Sequence, residues 1–334
     1  MPVPVAVIIL NWNGEKLLRK YLPSVVANTN REIAEIIVAD NGSTDGSLAL
    51  LADEFPGVTV IEFDSNHGFA EGYNLAIASV PNEYVVLLNS DVETPEGWIE
   101  PLYNMMRSNQ HIGACQPKIL SYNSKNEFEY AGASGGFIDR NGYPYCRGRI
   151  FSTVETDNGQ YDSVIPVFWA TGAALMIRTD LYRRLGGLDA RFFAHMEEID
   201  LCWRVWLSGN EIVVVPQSKV YHLGGGSLPA SNPRKTYLNF RNNLLLLHKN
   251  IPASDLGPTL LRRRLLDTIA WLKFMATLDF ANANAILRAH RDFRKMRREY
   301  TTHPEVNLLR TMPMNRRNIL IDYYLRGVRS YSGL

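Results

Sequence analysis

Continuous apolar runs alternate with helical patterns through the first ninety or so residues, and this alternation restricts the fold more than any other feature. PVAVIIL (residues 4–10), AEIIVAD (34–40), VTVIEF (58–63) and EYVVLLN (83–89) are rich in β-formers. Between them, Glu15 to Asn28 sets Leu17, Leu18, Leu22, Val25 and Val26 on one helical face, with Pro23 inside. A second helix is expected through Leu51, capped by Ser43 and Thr44, and a third over Gly68 to Ser79. Apolar strands separated by helices imply a parallel sheet covered on both faces. Ligands of such sheets bind beyond the carboxyl ends of the strands. The residues there are Asn11-Trp12-Asn13, Asp40-Asn41-Gly42-Ser43, Asn66-His67-Gly68-Phe69-Ala70 and Asn89-Ser90-Asp91. One such loop is ordinary turn chemistry. Four polar loops on the same sheet edge point to a shared ligand site.

From about residue 110 the pattern changes. Short strand-like runs at Ile112 to Ile119, Val164 to Phe168 and Gly172 to Arg178 surround a polar, Gly- and Tyr-rich excursion near 121–160. Helix signals return at Asp180 to Leu185 and Glu197 to Leu207, then a strand at Glu211 to Val215. After residue 235 the chain reads as helical almost to its end. With 46% hydrophobic and 21% charged residues the chain can build a large core, which excludes wholesale disorder. Three cysteines, Cys115, Cys146 and Cys202, are too few and too scattered for a disulfide framework or structural zinc, and read as reduced, buried thiols. No apolar stretch reaches the ~20 residues of a spanning helix. MPVPVAVIIL reads as a first strand and not as a signal peptide.

Three places offer chemistry. Asp91 follows a buried strand and can present a hard oxygen to a divalent cation, or cap a helix beginning near Thr94 and Pro95. His222 follows KVY and precedes Leu223-Gly224-Gly225-Gly226-Ser227; an imidazole there can ligate metal, and the glycines can cradle phosphate. No Lys-Ser/Thr follows, so this is not a P-loop, and no GxGxxG follows the first strand. Glu197, Glu198 and Asp200 crowd three carboxylates between large apolar residues. The plain reading is an acidic helix N-terminus. The chemical reading is a partly desolvated carboxylate of raised pKa serving as general base.

VAVIILNWNG, EIIVADNGSTDGS, NHGFAEGYN, VVLLNSDVE, ATGAALMIR, GGLDARFFAHMEEIDLCWR and KVYHLGGGS occur in this order. Together they resemble the family 2 glycosyltransferases, inverting enzymes of the GT-A fold, and within them the rhamnosyltransferase-like group of bacterial polysaccharide enzymes. The resemblance spans roughly residues 3–250. It implies an α/β fold with a mostly parallel central sheet flanked by helices. The expected division is a catalytic domain over 1–235, with its nucleotide-sugar half about 1–110 and its acceptor half about 111–235, and a basic helical extension over 236–334.

The resemblance also implies residue roles. Trp12 packs on the nucleotide base, between Asn11 and Asn13, and Asp40 hydrogen-bonds the base, with Asn41, Ser43 and Asp45 in the same block. Asn66, Gly68, Phe69 and Asn74 line the nucleotide-sugar pocket. Asn89 takes the place of the first Asp of a DxD-like motif and faces the ribose, leaving Asp91 and His222 as ligands of Mg²⁺ or Mn²⁺. Glu198 stands where the family usually has the Asp that acts as base; Glu197 and Asp200 are the alternatives. Trp169, Thr171 and Gly172 fall where the acceptor pocket is shaped. The partners implied are a dTDP- or UDP-sugar, with rhamnose one option, and a glycan or lipid-linked glycan. A catalytically inactive nucleotide-sugar binder is the alternative, with a nucleotidyltransferase behind it, since NWNGEKLL lacks a Gly-rich basic loop.

Residues 231–334 hold 19 Lys and Arg against 7 Asp and Glu, although the whole chain nets only +1. Leu261, Leu265, Ile269, Leu272, Met275 and Leu278 follow helical spacing beside Arg262, Arg263 and Arg264. Such a helix either docks on the catalytic domain or rests on anionic lipid. The expected location is cytoplasmic, with the inner face of the plasma membrane as a peripheral site. No stacking aromatics interleave the arginines, so nucleic acid is not expected.

Overall fold

The computed structural model describes residues 3–224 and 232–334. The first half alternates as its apolar runs predict: β1 (Val5–Asn11), α1 (Glu15–Asn28), β2 (Ala34–Asp40), α2 (Ser47–Glu54), β3 (Thr59–Glu62), α3 (Gly68–Ala78) and β4 (Tyr84–Leu88). There follow β5 (Val92–Glu93), α4 (Ile99–Ser108) and β6 (Ile112–Ser121). The excursion forms a small antiparallel sheet of β7 (Gly136–Ile138), β8 (Pro144–Cys146), β9 (Arg149–Ile150) and β10 (Thr153–Val154). The main sheet resumes with β11 (Ile165–Pro166) and β12 (Ala174–Arg178); then come α5 (Thr179–Arg184), α6 (Glu197–Leu207) and β13 (Glu211–His222). Helices α7 (Pro233–Asn250), α8 (Ala253–Ala276) and α9 (Phe280–Met296) close the ordered sequence of large elements.

The main sheet runs β11-β13-β6-β12-β4-β1-β2-β3, with β5 paired to β13. Strands β3, β2, β1 and β4 are mutually parallel, and β12 enters antiparallel between β4 and β6. The sheet is therefore mixed overall but parallel in its N-terminal half. Successive side chains of β1 enter opposite layers. Ala6 and Ile8 join a core with Tyr73, Leu181 and Trp203, while Val5, Val7 and Ile9 join one with Leu18, Leu50 and Leu102. Leu244 to Leu247 of α7 belong to the first of these cores, and α7 packs on α6 and on the β7–β8 turn at Gly142.

Two expectations need correction. Helix α2 starts at Ser47, and its first turn is capped by Asp45, which accepts from Ser47 N (3.0 Å) and Oγ (2.6 Å). Ser43 and Thr44 instead bond across to the β1 loop. Nor is the chain helical to its end. Past Met296 it winds through short turns back to the small sheet, where Tyr331 packs on Phe137, Tyr145 and Tyr161. Periodicity does not register such a segment, because its contacts are aromatic and distant in sequence. All three cysteines are free and buried.

Candidate active site

Strand register builds the first wall. Asn11 and Asp40 are paired residues at the ends of β1 and β2. Asn11 Nδ2 donates to Asp40 Oδ1 (2.9 Å) and Ser43 Oγ (3.2 Å), and Ser43 N donates to Asp40 Oδ2 (2.9 Å). Asp40 and Asn11 are thus a buried floor. Trp12 stands on the rim, 56% exposed, with Asn13 beside it binding the Ser43–Thr44 turn through Asn13 N and Oδ1. Asn41 fastens the next loop: its Nδ2 donates to Asn66 Oδ1 (3.0 Å) and Gly68 O (3.1 Å), and its Oδ1 accepts from His67 N (2.9 Å).

Two expected pocket residues serve the fold. Asp45 accepts from Glu15 N (3.1 Å) as well as from Ser47, tying the starts of α1 and α2 together. Burial would raise its carboxyl, but these hydrogen bonds outweigh it and hold the group below the ordinary range. Asn74 donates to Leu188 O (2.9 Å) and accepts from Tyr182 OH (2.7 Å) and Leu188 N (2.9 Å), so its amide anchors the loop after α5.

The second wall forms where β13 ends level with β6, His222 opposite Ser121. A register shift between Val215 and Lys219 carries β13 on to His222, opposite Val92 of β5. His222 Nε2 then lies 3.1 Å from Asp91 Oδ1 and 3.4 Å from Asn89 Nδ2. Asp91 therefore does not cap a helix; its partner is the imidazole. On the far side of the ring, Glu129 Oε2 lies 3.5 Å from His222 Nδ1. Burial would depress the imidazole, but the two carboxylates push it up to about 10. Burial would likewise raise Asp91, and the His222 hydrogen bond brings it below its ordinary value. Glu129 was not among the expected residues. It lies in an irregular loop, where no periodicity or motif marks it.

An oxygen and a nitrogen converging from two strand ends suit a divalent cation that shares its remaining positions with a ligand. A carboxylate on the far ring nitrogen, as Glu129 is for His222, is the arrangement that orients imidazoles at metal sites. Among the described residues no group of three or more His, Cys, Asp or Glu side chains forms a closed metal cage. Gly225, Gly226 and Ser227, expected to cradle phosphate, lie outside the described residues.

The third wall holds the carboxylates. Asn89 N donates to Ala173 O (3.0 Å), which sets the Thr171–Ala173 turn beside the Asn89–Asp91 segment. A methyl group built on Gly172 would lie 3.6 Å from Phe69 Cζ and 3.8 Å from Glu198 Cβ. Phe69, Gly172 and Glu198 therefore meet one residue from the Ala173 carbonyl that Asn89 binds. Glu197 is buried and Glu198 half-buried, and among the described residues Oε2 of each has no hydrogen-bond partner. Burial raises both carboxyls, Glu197 the more, since Glu198 adds like charge. Asp200 is different. It is fully buried and accepts from Arg204 Nε (2.9 Å), Lys249 Nζ (2.8 Å) and Asn250 Nδ2 (2.8 Å). Burial opposes ionisation, but the two cations and the amide hold Asp200 below its ordinary value. It is a structural anion and not an alternative base.

Trp169 also departs from expectation. Its indole is buried, donates to Phe137 O (2.9 Å) and lies where any Cβ on Gly136 would fall, 2.0 Å from the ring. It is core. Thr171 is buried too, its N–H bound to Gln116 Oε1 (2.9 Å).

The segment leading into α6 is strained. Phe193, His195 and Met196 all have positive φ (68°, 69° and 78°) without being glycine. Asn242, fully buried on α7, holds it: its Nδ2 lies within hydrogen-bond distance of Phe192 O (2.9 Å), Ala194 O (2.8 Å) and His195 O (2.7 Å). Arg241 Nη2 adds a bond to Phe192 O (2.7 Å), and its Nε donates to Asn242 Oδ1 (2.8 Å). The signal in the sequence was a polar Arg-Asn-Asn run heading the leucines of α7, where core-facing polar residues need partners.

A family model described as "Glycosyl transferase family 2" matches residues 6–182. The chain belongs to glycosyltransferase family 2. Over 232 residues it is 27% identical to the N-acetylglucosaminyl-diphospho-decaprenol L-rhamnosyltransferase of Mycobacterium tuberculosis, covering 65% of this chain and 75% of that one. It is 24% identical over 253 residues to the low-salt glycan biosynthesis hexosyltransferase Agl10 of Haloferax volcanii, covering 72% and 74%. These relatives agree with the rhamnosyltransferase-like group that the motifs suggested. Among solved structures, GalNAc-T7 crystallised with UDP, GalNAc and Mn²⁺ superposes with a TM-score of 0.58 at 18% identity. That match covers 75% of this chain and 48% of GalNAc-T7. The Pyrobaculum calidifontis mannosyltransferase PcManGT, in complex with GDP-Man and Mn²⁺, gives 0.51 at 16% identity, covering 89% and 85%. These likenesses establish a fold of the GT-A type.

Proposed function

We propose that this glycosyltransferase transfers a sugar from a dTDP- or UDP-sugar, with rhamnose the first sugar to test, to a hydroxyl of a glycan or lipid-linked glycan in surface polysaccharide synthesis. The reaction inverts the anomeric centre in a single displacement. The observation that carries this reading is the meeting, at one sheet edge, of the Asp91–His222 pair with Glu198 across Gly172. The rhamnosyl donor and lipid-linked acceptor named for the mycobacterial relative support the choice of substrates.

Asp91 and His222 would hold Mg²⁺ or Mn²⁺, which when bound neutralises the charge developing on the departing diphosphate. Glu129 fixes the imidazole so that Nε2 faces Asp91. Trp12 offers its exposed ring to the base, Asp40 and Asn11 support that rim from below, and Asn89 reaches the ribose. Glu198 takes the proton from the acceptor hydroxyl as that oxygen attacks; its desolvated, raised carboxyl is a stronger base than one in water. Phe69 covers Gly172 and keeps water from the anomeric carbon. The catalytic unit comprises 1–235, with 236–334 as an extension packed on it, built of long helices only as far as Met296.

Thermal denaturation with UDP, dTDP, GDP and CMP, each with Mn²⁺ or with EDTA, tests the site. A ligand of the folded state raises the melting temperature by mass action. A metal-dependent rise with UDP or dTDP that is lost in Asp91→Ala is expected. No rise with any nucleotide refutes the donor site. A rise with no transfer to any glycan acceptor makes the chain a nucleotide-sugar binder.

A further inference from the structure

Helix α8 turns to solvent an apolar face that no described part of the chain covers. Leu261, Leu265, Ile269 and Leu272 are 60, 61, 63 and 53% exposed. Their spacing stacks them in one stripe about 17 Å long at 1.5 Å rise per residue. Scattered exposed leucines are normal, but four in helical register are not. At 100° per residue, Arg262 and Lys273 border the stripe on one side and Arg264 on the other, all exposed.

Both acidic residues of α8 are held by partners, Asp255 lying on the Lys273 side but about 9 Å ahead of the stripe. Asp255 binds Arg310 and Asn307, and Asp267 is buried against Arg263 Nε (2.9 Å) and His290 Nε2 (2.9 Å). Among the described residues the stripe therefore has cations on both margins and no unpaired carboxylate of α8. Beside Arg262 opens a cleft of about 390 Å³ lined by Arg140, Asn141, Arg262, Leu266 and Asn318, without a carboxylate. Among the described residues no helix is long and apolar enough to cross a membrane.

We infer that α8 lies along the surface of an anionic bilayer. The stripe enters the boundary between headgroups and acyl chains, Arg262, Arg264 and Lys273 meet lipid phosphates, and the cleft receives one headgroup. Charge selects this occupant over a second copy: pairing two stripes would bring arginine and lysine margins together with no anion between them. The inference does not rest on the identity of the sugar donor or on transfer.

Flotation of the full chain with vesicles of phosphatidylcholine alone, or mixed with phosphatidylglycerol, tests it. Binding to the mixed vesicles is expected to exceed binding to phosphatidylcholine at least about tenfold and to weaken at high salt. The double variant Leu265→Gln/Ile269→Gln should bind about tenfold less or weaker still, with an unchanged melting temperature because both positions are exposed. Arg262→Glu/Arg264→Glu should lose about tenfold on the mixed vesicles alone. Equal binding to both vesicle types, or undiminished binding by the leucine-stripe variant, overturns the inference. So does self-association in sedimentation velocity that the stripe variant abolishes while vesicles capture nothing. Any of these failures leaves the nucleotide-dependent melting shift untouched, so the two readings fail separately.

Discussion

Glu198 and Asp200 stand two positions apart on α6 and meet opposite fates. Asp200 is enclosed by Arg204, Lys249 and Asn250, while a Glu198 oxygen has no partner among the described residues and its Cβ lies near Gly172. The i+4 spacing of Asp200 and Arg204 was visible in the sequence; Lys249 and Asn250, fifty residues away, were not. Asp200→Asn should therefore cost about 3–5 kcal/mol by stranding buried cations, read by urea unfolding, and Glu198→Asp should remain far more stable than that. Glu198→Gln should lower the turnover rate by about 10²–10⁴-fold while the nucleotide-dependent rise in melting temperature persists. Loss of that rise would move Glu198 from base to donor binding. Because Glu198 is raised, transfer should fall off on acidification at a pH above the ordinary carboxylate range. Gly172→Ala meets only ordinary contact distances, so its stability should hold while the gap between Phe69 and Glu198 narrows and transfer efficiency drops.

At the scale of elements, the parallel half of the sheet was legible because its strands are buried on both faces and its helices carry one apolar face each. Its loops were legible only as a group. The sequence marked Asn11, Trp12, Asp40, Asn41, Asn66, Asn89, Asp91 and His222 as strand-end residues, and register brings Asn11 to Asp40 and His222 beside Asp91. It could not say that Asp45 and Asn74 are spent on backbone groups, or that Trp169 points into the core, because side-chain direction depends on partners remote in sequence. The strained 193–196 segment shows the same dependence, since what holds it is Asn242 of α7. Asn242→Ala strips Ala194 O and His195 O of their side-chain donor, while Phe192 O keeps Arg241. The expected loss is about 1–3 kcal/mol, with transfer falling more than donor binding. Equal losses in both would make Asn242 a general stabiliser instead of a support for α6.

For the molecule as a whole, the acid limb of stability should be set by Asp189 and Asp200. Burial alone would raise both, but Arg191 and Lys249 at Asp189, with Arg204 and Lys249 at Asp200, hold them below their unfolded value. The stability they contribute is fully present above the ordinary Asp range and is lost as pH falls through their lowered values. Glu197 acts in the other sense. Its raised carboxyl favours the folded state most below the ordinary Glu range, and that contribution declines as pH rises through the folded value. Glu197→Gln should accordingly raise the melting temperature at neutral and alkaline pH and change it little in acid.

The order of strands also has a consequence in time. β4 has β1 on one side and β12 on the other, with Leu88 paired to Ala174. A ribosome delivers β1 through β4 long before β12, so the nascent chain carries an apolar strand with one unpaired edge while the excursion is still being made. Pairing so distant in sequence is slow to form, and an open edge invites other chains. Expression yield should therefore respond to translation speed between residues 89 and 174 more than to speed elsewhere. β12 also brings Gly172 and Ala173 against Asn89, so the Asn89–Asp91 loop and the turn that faces Glu198 meet only once β12 has paired with β4.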